Sequence, residues 1–210
     1  MNAVQPIVHI VDDDAAYLRA TTRLLLASGF AVQGYASANE FLAREAGSQP
    51  GCVVVDLQMP GLSGLDLQER LARSANPMPV VFLTGQGDIA SSVRAMRAGA
   101  EDFLEKRAPL DELLDAVRRA LTRGEQEQAL RGRQLELEQR IESLSARERE
   151  VLEHVLRGRL NKQIAGDLGI NERTVKLHRT SIMTKMKVRA VAELARLVQE
   201  IGERKSGAGS

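Results

Sequence analysis

The sequence predicts an α/β unit followed by a smaller all-α one: a doubly wound, five-stranded parallel sheet, then a linker helix, then a helix-turn-helix bundle. Three observations predict it. Over residues 1–120 short apolar runs, each ending in a polar residue, alternate with helical patterns. From about residue 121 the chain becomes rich in Glu, Gln and Arg and lacks proline. Beyond residue 144 it carries several helix caps and almost no strand signal.

The strands are predicted at Ile7–Val11, Phe30–Tyr35, Cys52–Val55, Val80–Leu83 and Glu101–Leu104. Helical spacing fills the connections, as at Leu24-Leu25-Leu26 before Gly29 and at Leu65, Leu67 and Leu71, with Ser37 and Asp88 as predicted caps. In the linker, 121–144, Gly124 and Gly132 are weak points. Leu130, Gln134, Leu137, Ile141 and Leu144 recur at alternating spacings of four and three. Two readings stay open: a dimerising seam, or a solvated helix whose apolar side rests on one of the domains. The third part, 145–204, opens with a capping box, Ser145 to Glu148, and Gly158 stops that first helix. A second helix runs from Asn161 to Gly169, and a third starts at Glu172 after the turn Gly169-Ile170-Asn171. A last helix spans about Ala190 to Ile201, and residues 205–210 read as a disordered tail.

Five polar residues stand where the strands should end: Asp12 and Asp13, Asp56, Thr84 and Lys106. In an open α/β sheet, ligands bind beyond the carboxyl ends of the strands, so these residues are expected to converge. Clustered carboxylates remain ionised together when a hard cation sits among them, and magnesium suits oxygen ligands. A carboxylate such as Asp56 can attack a phosphoryl group, while the metal and Lys106 offset charge on its oxygens and Thr84 donates a hydroxyl hydrogen bond. Taken singly, each residue has a plainer role as a cap, turn or surface residue.

The total charge is near neutral, but it is unevenly spread. Residues 1–120 hold 11 Lys and Arg against 15 Asp and Glu, whereas 145–210 hold 14 against 8. The basic part is therefore the helical one, which suits attraction to double-stranded DNA. Its third helix carries Arg173, Lys176, His178, Arg179 and Lys185 opposite an apolar set of Val175, Ile182, Met183 and Met186. No apolar run approaches the roughly 18 residues that span a bilayer, and the amino terminus lacks a signal-peptide pattern, so cytoplasmic residence is expected. Cys52 is the sole cysteine and is expected to be a core residue, as is His9; His154 reads as structural.

The residues Asp12, Asp13, Thr84 and Lys106, with the run Asp56-Leu57-Gln58-Met59-Pro60-Gly61-Leu62-Ser63-Gly64, resemble the receiver domain of two-component response regulators. That resemblance implies a flavodoxin-like fold. It makes Asp56 the residue phosphorylated by a sensor histidine kinase. Asp12, Asp13, Asp56 and the backbone carbonyl of Gln58 become ligands of Mg2+, Thr84 and Lys106 bind the phosphoryl group, and Phe103 is the switch aromatic. One departure stands out: receivers place proline after the lysine in a cis bond, and this chain reads Lys106-Arg107-Ala108-Pro109. A cis bond before Arg107 would cost roughly 3 kcal/mol relative to trans. The loop either adopts it or follows a trans path that shifts Lys106 and the next helix, which Pro109 could open at its first position.

The carboxyl-terminal wording Leu144-Ser145-Ala146-Arg147-Glu148-Arg149-Glu150-Val151-Leu152, Asn161-Lys162-Gln163-Ile164-Ala165 and Thr174-Val175-Lys176-Leu177-His178-Arg179 resembles LuxR-type output domains. Together the two motif sets resemble the FixJ/NarL response regulators, particularly the FixJ branch. By that resemblance Lys176, Leu177 and Thr180 approach bases, while Lys162, Thr174, His178, Arg179 and Lys185 contact phosphate or sugar. Thr180 departs from the basic residue of some relatives. The last helix would supply a homodimer contact on DNA, with RNA polymerase as a further candidate partner. Two other classes stay open. An aspartyl-phosphate hydrolase would need a second carboxylate just after Asp56, where Leu57 and Gln58 stand. The other is a DNA-binding dimer that never uses phosphate.

Overall fold

The computed structural model describes residues 5–44, 50–74, 76–85 and 89–207. Five strands, β1 (Ile7–Val11), β2 (Ala31–Tyr35), β3 (Gly51–Asp56), β4 (Val80–Thr84) and β5 (Asp102–Glu105), form one parallel sheet in the order β2-β1-β3-β4-β5. All five fall where the apolar runs predict. The central strands are buried along their length because helices cover both faces. Helices α1 (Ala15–Ala27), α2 (Ala38–Arg44), α3 (Gly64–Ala72) and α4 (Ile89–Arg97) make the crossovers. One core cluster packs Phe41, Leu67, Met78 and Ala95 against Val53, Val55 and Phe82, and the other packs Leu25, Leu113 and Val117 against Val8, Ile10 and Val54.

Ser37 caps α2 as predicted, its hydroxyl accepting from the Glu40 N–H at 3.1 Å. The predicted cap Asp88 lies outside the described residues. His9 and Cys52 are both fully buried core residues. Burial pushes the Cys52 thiol up to about 12, which suits an inert side chain.

Helix α5 runs unbroken from Leu110 to Glu142. The chain nevertheless divides into two compact units at residues 129 and 130, inside this helix rather than at its ends. The reason lies in what each part buries. Leu113 to Gly124 bury residues in the receiver-side core, four residues past the predicted boundary, whereas Leu137, Ile141 and Leu144 join the core of the second unit. Gly124 is not a weak point. A Cβ there would lie 2.6 Å from the Gly51 carbonyl, so glycine allows α5 to close on β3. Within one chain, Leu137, Ile141 and Leu144 of the linker pattern rest on the carboxyl-terminal core, and Leu130 at its start is 47% exposed.

The second unit adds α6 (Ala146–Leu156), α7 (Asn161–Leu168), α8 (Glu172–Met186) and α9 (Val191–Gly207). The Ser145–Glu148 capping box is present, and Gly169 ends α7 in a left-handed turn. The last helix outruns its predicted end and takes in residues 205–207 of the expected tail. Residues 208–210 lie outside the described part. Among the described residues, no helix is long and apolar enough to cross a membrane.

Candidate phospho-acceptor site and nucleic-acid interface

The parallel sheet delivers the predicted polar residues to one edge. Asp56 is the last residue of β3, between β1 and β4, while Asp12 follows β1 directly and its N–H donates to the Tyr35 carbonyl at 3.1 Å. Thr84 ends β4 with 1% exposure, and its carbonyl accepts the Lys106 N–H at 2.8 Å, so Lys106 enters just past β5. The carboxylates of Asp12, Asp13 and Asp56 offer oxygens that all lie within 4.8 Å of one another, with Asp12 and Asp56 buried and Asp13 exposed. Lys106 Nζ bridges two of them, 2.7 Å from Asp12 Oδ2 and 2.8 Å from Asp56 Oδ2.

All described peptide bonds are trans, including the one before Arg107. The trans path still delivers the ammonium to both carboxylates. Pro109 sits one place earlier than its predicted first helical position, outside α5, where its carbonyl accepts from Glu112 and Leu113.

Charge at this edge is unbalanced, since one ammonium faces three carboxyl groups. Burial raises the Asp12 carboxyl above the ordinary range, with Lys106 and the Asp14 N–H working against it. Burial also presses the Lys106 ammonium toward neutrality, but Asp12 and Asp56 outweigh that and its pKa is raised. The lysine is therefore held positive. Close oxygens on a surplus of negative charge form a donor set that fits a hard divalent cation such as Mg2+. Gln58 follows on the loop, its N–H donating to Asp56 Oδ1 at 3.3 Å, which keeps its backbone beside the acceptor. That loop closes tightly: a Cβ on Gly64 would lie 2.3 Å from the Asp56 carbonyl.

Phe103 is half-buried, its ring centroid 5.8 Å from that of Phe82. Sequence reasoning missed Tyr17, whose ring lies under Lys106 Nζ at 4.5 Å. A cation over an aromatic face is stabilised by the ring quadrupole. The first turn of α1 supplies it, because Asp14 caps that helix by accepting from the Ala16 and Tyr17 N–H groups. Nothing in the spacing of Tyr17 marks it out.

In the second unit, α8 buries Val175, Ile182 and Met186 and turns Arg173, Lys176, Leu177 and Thr180 outward. Leu177 is 63% exposed, which no core role explains. Asn171 caps α8 by accepting from both the N–H and the hydroxyl of Thr174, at 2.7 and 2.8 Å. His178 and Arg179 are half-buried, and Lys162 is exposed at the start of α7. Arg189, absent from the predicted contacts, lines an open groove together with Lys162, Lys176, Arg179 and Thr180. It lies beyond α8, outside the periodic pattern that pointed to the others. Lys185 is placed differently from its expected phosphate contact. Its ammonium bonds Glu148 Oε2 at 2.7 Å and the Ser143 carbonyl at 3.0 Å.

A five-stranded parallel sheet with an acidic strand-end pocket, followed by a capped helix-turn-helix, has the two-part architecture of a receiver and a DNA-binding domain. Comparison with known proteins gives the particular family. Residues 8–118 match the response regulator receiver domain and residues 142–198 the luxR family of bacterial regulatory proteins. The chain is 43% identical to the response regulator protein TodT of Pseudomonas putida, over 93% of this chain and 86% of that one. It is also 43% identical to the transcriptional regulatory protein FixJ of Azorhizobium caulinodans, over 90% of each. Among solved structures it resembles the response regulator StyR, with TM-score 0.85, 45% identity, and 93% and 99% of the two chains covered. Full-length FixJ from B. japonicum gives TM-score 0.57 and 36% identity, over 96% and 99%. The chain belongs to the FixJ-type two-component response regulators, transcription regulators that join a receiver to a LuxR-type DNA-binding domain.

Proposed function

We propose that Asp56 accepts a phosphoryl group from a sensor histidine kinase, and that this promotes pairing of two chains and sequence-specific DNA binding. The observation that carries the reading is Lys106, held between Asp12 and Asp56 at 2.7 and 2.8 Å in a pocket with surplus negative charge. A carboxylate oxygen of Asp56 attacks phosphorus as the bond to the donor nitrogen breaks, giving an acyl phosphate. Lys106 then turns from the carboxylate to a phosphoryl oxygen, and Thr84 donates its hydroxyl to another. Bound Mg2+, held by Asp12, Asp13, Asp56 and the Gln58 carbonyl, would supply further positive charge to the phosphoryl oxygens. Phe103, packed on Phe82, follows the Thr84 shift and alters the surface around α4 and β5.

On DNA, α8 enters the major groove. Lys176, Leu177 and Thr180 face base edges, and Lys162, Thr174, His178, Arg179 and Arg189 meet the backbone. Lys185 acts within the protein instead. Cytoplasmic residence belongs to the same proposal.

The test is phosphodonor labelling with acetyl phosphate and Mg2+, followed by duplex binding. One phosphoryl group per chain, located at Asp56 and accompanied by tighter duplex binding, is the expected result. Equal labelling or equal tightening in Asp56→Asn would defeat it.

A further inference from the structure

The last turns of α5 belong to the second unit, and they meet the carboxyl end of the helix read here as DNA-reading. Leu137, Ile141 and Leu144 share a core with Val175, Ile182, Met186 and Leu194. Beside them, Arg140 Nη1 donates to the Met186 carbonyl at 3.1 Å. One turn back, Glu136 accepts from Arg140 Nη2 at 2.7 Å and from Lys187 Nζ at 3.0 Å.

The end of α8 needs such partners, because the last carbonyls of a helix have none within it. The Lys187 and Val188 N–H groups reach back to Thr184 and Met183, and Arg140 takes the Met186 carbonyl. Lys187 itself adopts φ +54, the sole non-glycine with positive φ among the described residues. That left-handed conformation is strained at a residue bearing a Cβ. A cation at a helix carboxyl terminus also interacts favourably with the helix dipole. The luxR-family match begins at residue 142, after both Glu136 and Arg140.

We propose that Arg140 is a positioning residue for the recognition helix. With Glu136 and Lys187 it fixes the carboxyl end of α8, and through it the presentation of Lys176, Leu177 and Thr180. The inference rests on α8 being the helix that reads DNA. Base-edge hydrogen bonds are directional and tolerate little displacement, whereas long basic side chains follow phosphates through small shifts. Loosening the end of α8 should therefore cost discrimination between sequences before it costs general affinity.

The test uses the full-length chain with Mg2+ and beryllofluoride, a duplex selected from a random pool by the wild type, and a scrambled duplex of equal length. Arg140→Met keeps the aliphatic stem; Glu136→Gln removes the orienting charge and leaves the packing intact. In Arg140→Met the ratio of selected to scrambled affinity should fall about tenfold with an unchanged salt slope. Amide exchange over residues 183–189 should quicken about tenfold while α6 and α7 keep their protection. Glu136→Gln should move both readouts in the same direction by less. Wild-type selectivity and exchange in both variants would overturn the proposal. So would exchange quickened evenly across the whole unit, the mark of a merely structural role. A wild type that selects no duplex overturns the reading of α8 as well, which separates the two failures.

Discussion

Lys106 and Lys185 look alike in the sequence, each a basic residue in a motif expected to meet phosphate, and they occupy opposite environments. Lys106 closes a strand-end pocket in which three carboxyl groups face one ammonium, and burial raises the Asp12 carboxyl. Lys185 meets a single buried carboxylate, Glu148, which also accepts from the Ser181 hydroxyl at 2.5 Å and the Ser145 N–H at 2.7 Å. There the charges cancel. The Lys185 and Ser181 hydrogen bonds hold the Glu148 carboxyl down at about 2. A pocket with uncompensated charge can take up a cation and a phosphoryl group, whereas a balanced one with its acceptors filled fixes a fold.

The largest expected effect falls on the first pocket. Asp56→Asn should abolish phosphoryl incorporation while leaving the melting of both units near wild type, as mass spectrometry and calorimetry would show. Persistent labelling elsewhere in the pocket would erase the distinction between the two lysines.

His9 gives a third case, a buried group with no charged partner. Its Nδ1 lies 3.1 Å from the Tyr35 hydroxyl, and burial lowers its pKa from 6.5 to about 4. The folded state therefore binds the proton more weakly than the unfolded chain. Its stabilising contribution is complete above pH 6.5 and is lost as pH falls toward 4, by about 3 kcal/mol in all. Urea unfolding of wild type and His9→Phe at pH 7.5 and 5 would show the loss in the wild type and a flatter response in the variant.

Glu148→Gln should destabilise the helical unit by about 2 kcal/mol, since it strands Lys185, which is partly solvated. Equilibrium unfolding measures it, and the receiver transition should stay in place. The smallest effect sharpens the contrast on DNA. Lys162→Ala should lower the salt slope of duplex binding by about one, whereas Lys185→Met should leave that slope unchanged.

The receiver was largely legible because four of its five strands are apolar runs that end in or lead straight to a candidate site residue, so Asp12, Asp56, Thr84 and Lys106 could be ordered along the sheet edge by sequence alone. Tyr17 was not, since a ring under a lysine depends on how α1 docks and leaves no periodic trace. In the helical unit, caps and apolar spacing revealed α6, α7 and α8. The fate of Lys185 was hidden because α8 turns it toward a glutamate 37 residues earlier. The linker pattern was visible, but only packing could decide which core Leu137 and Ile141 would join.

Light-scattering mass of the full chain, with and without Mg2+ and beryllofluoride, tests most directly the claim that the Asp56 pocket is the switch. A shift from monomer to dimer in the wild type that vanishes in Asp56→Asn is the predicted result. An unchanged mass, or the same shift in Asp56→Asn, would contradict it.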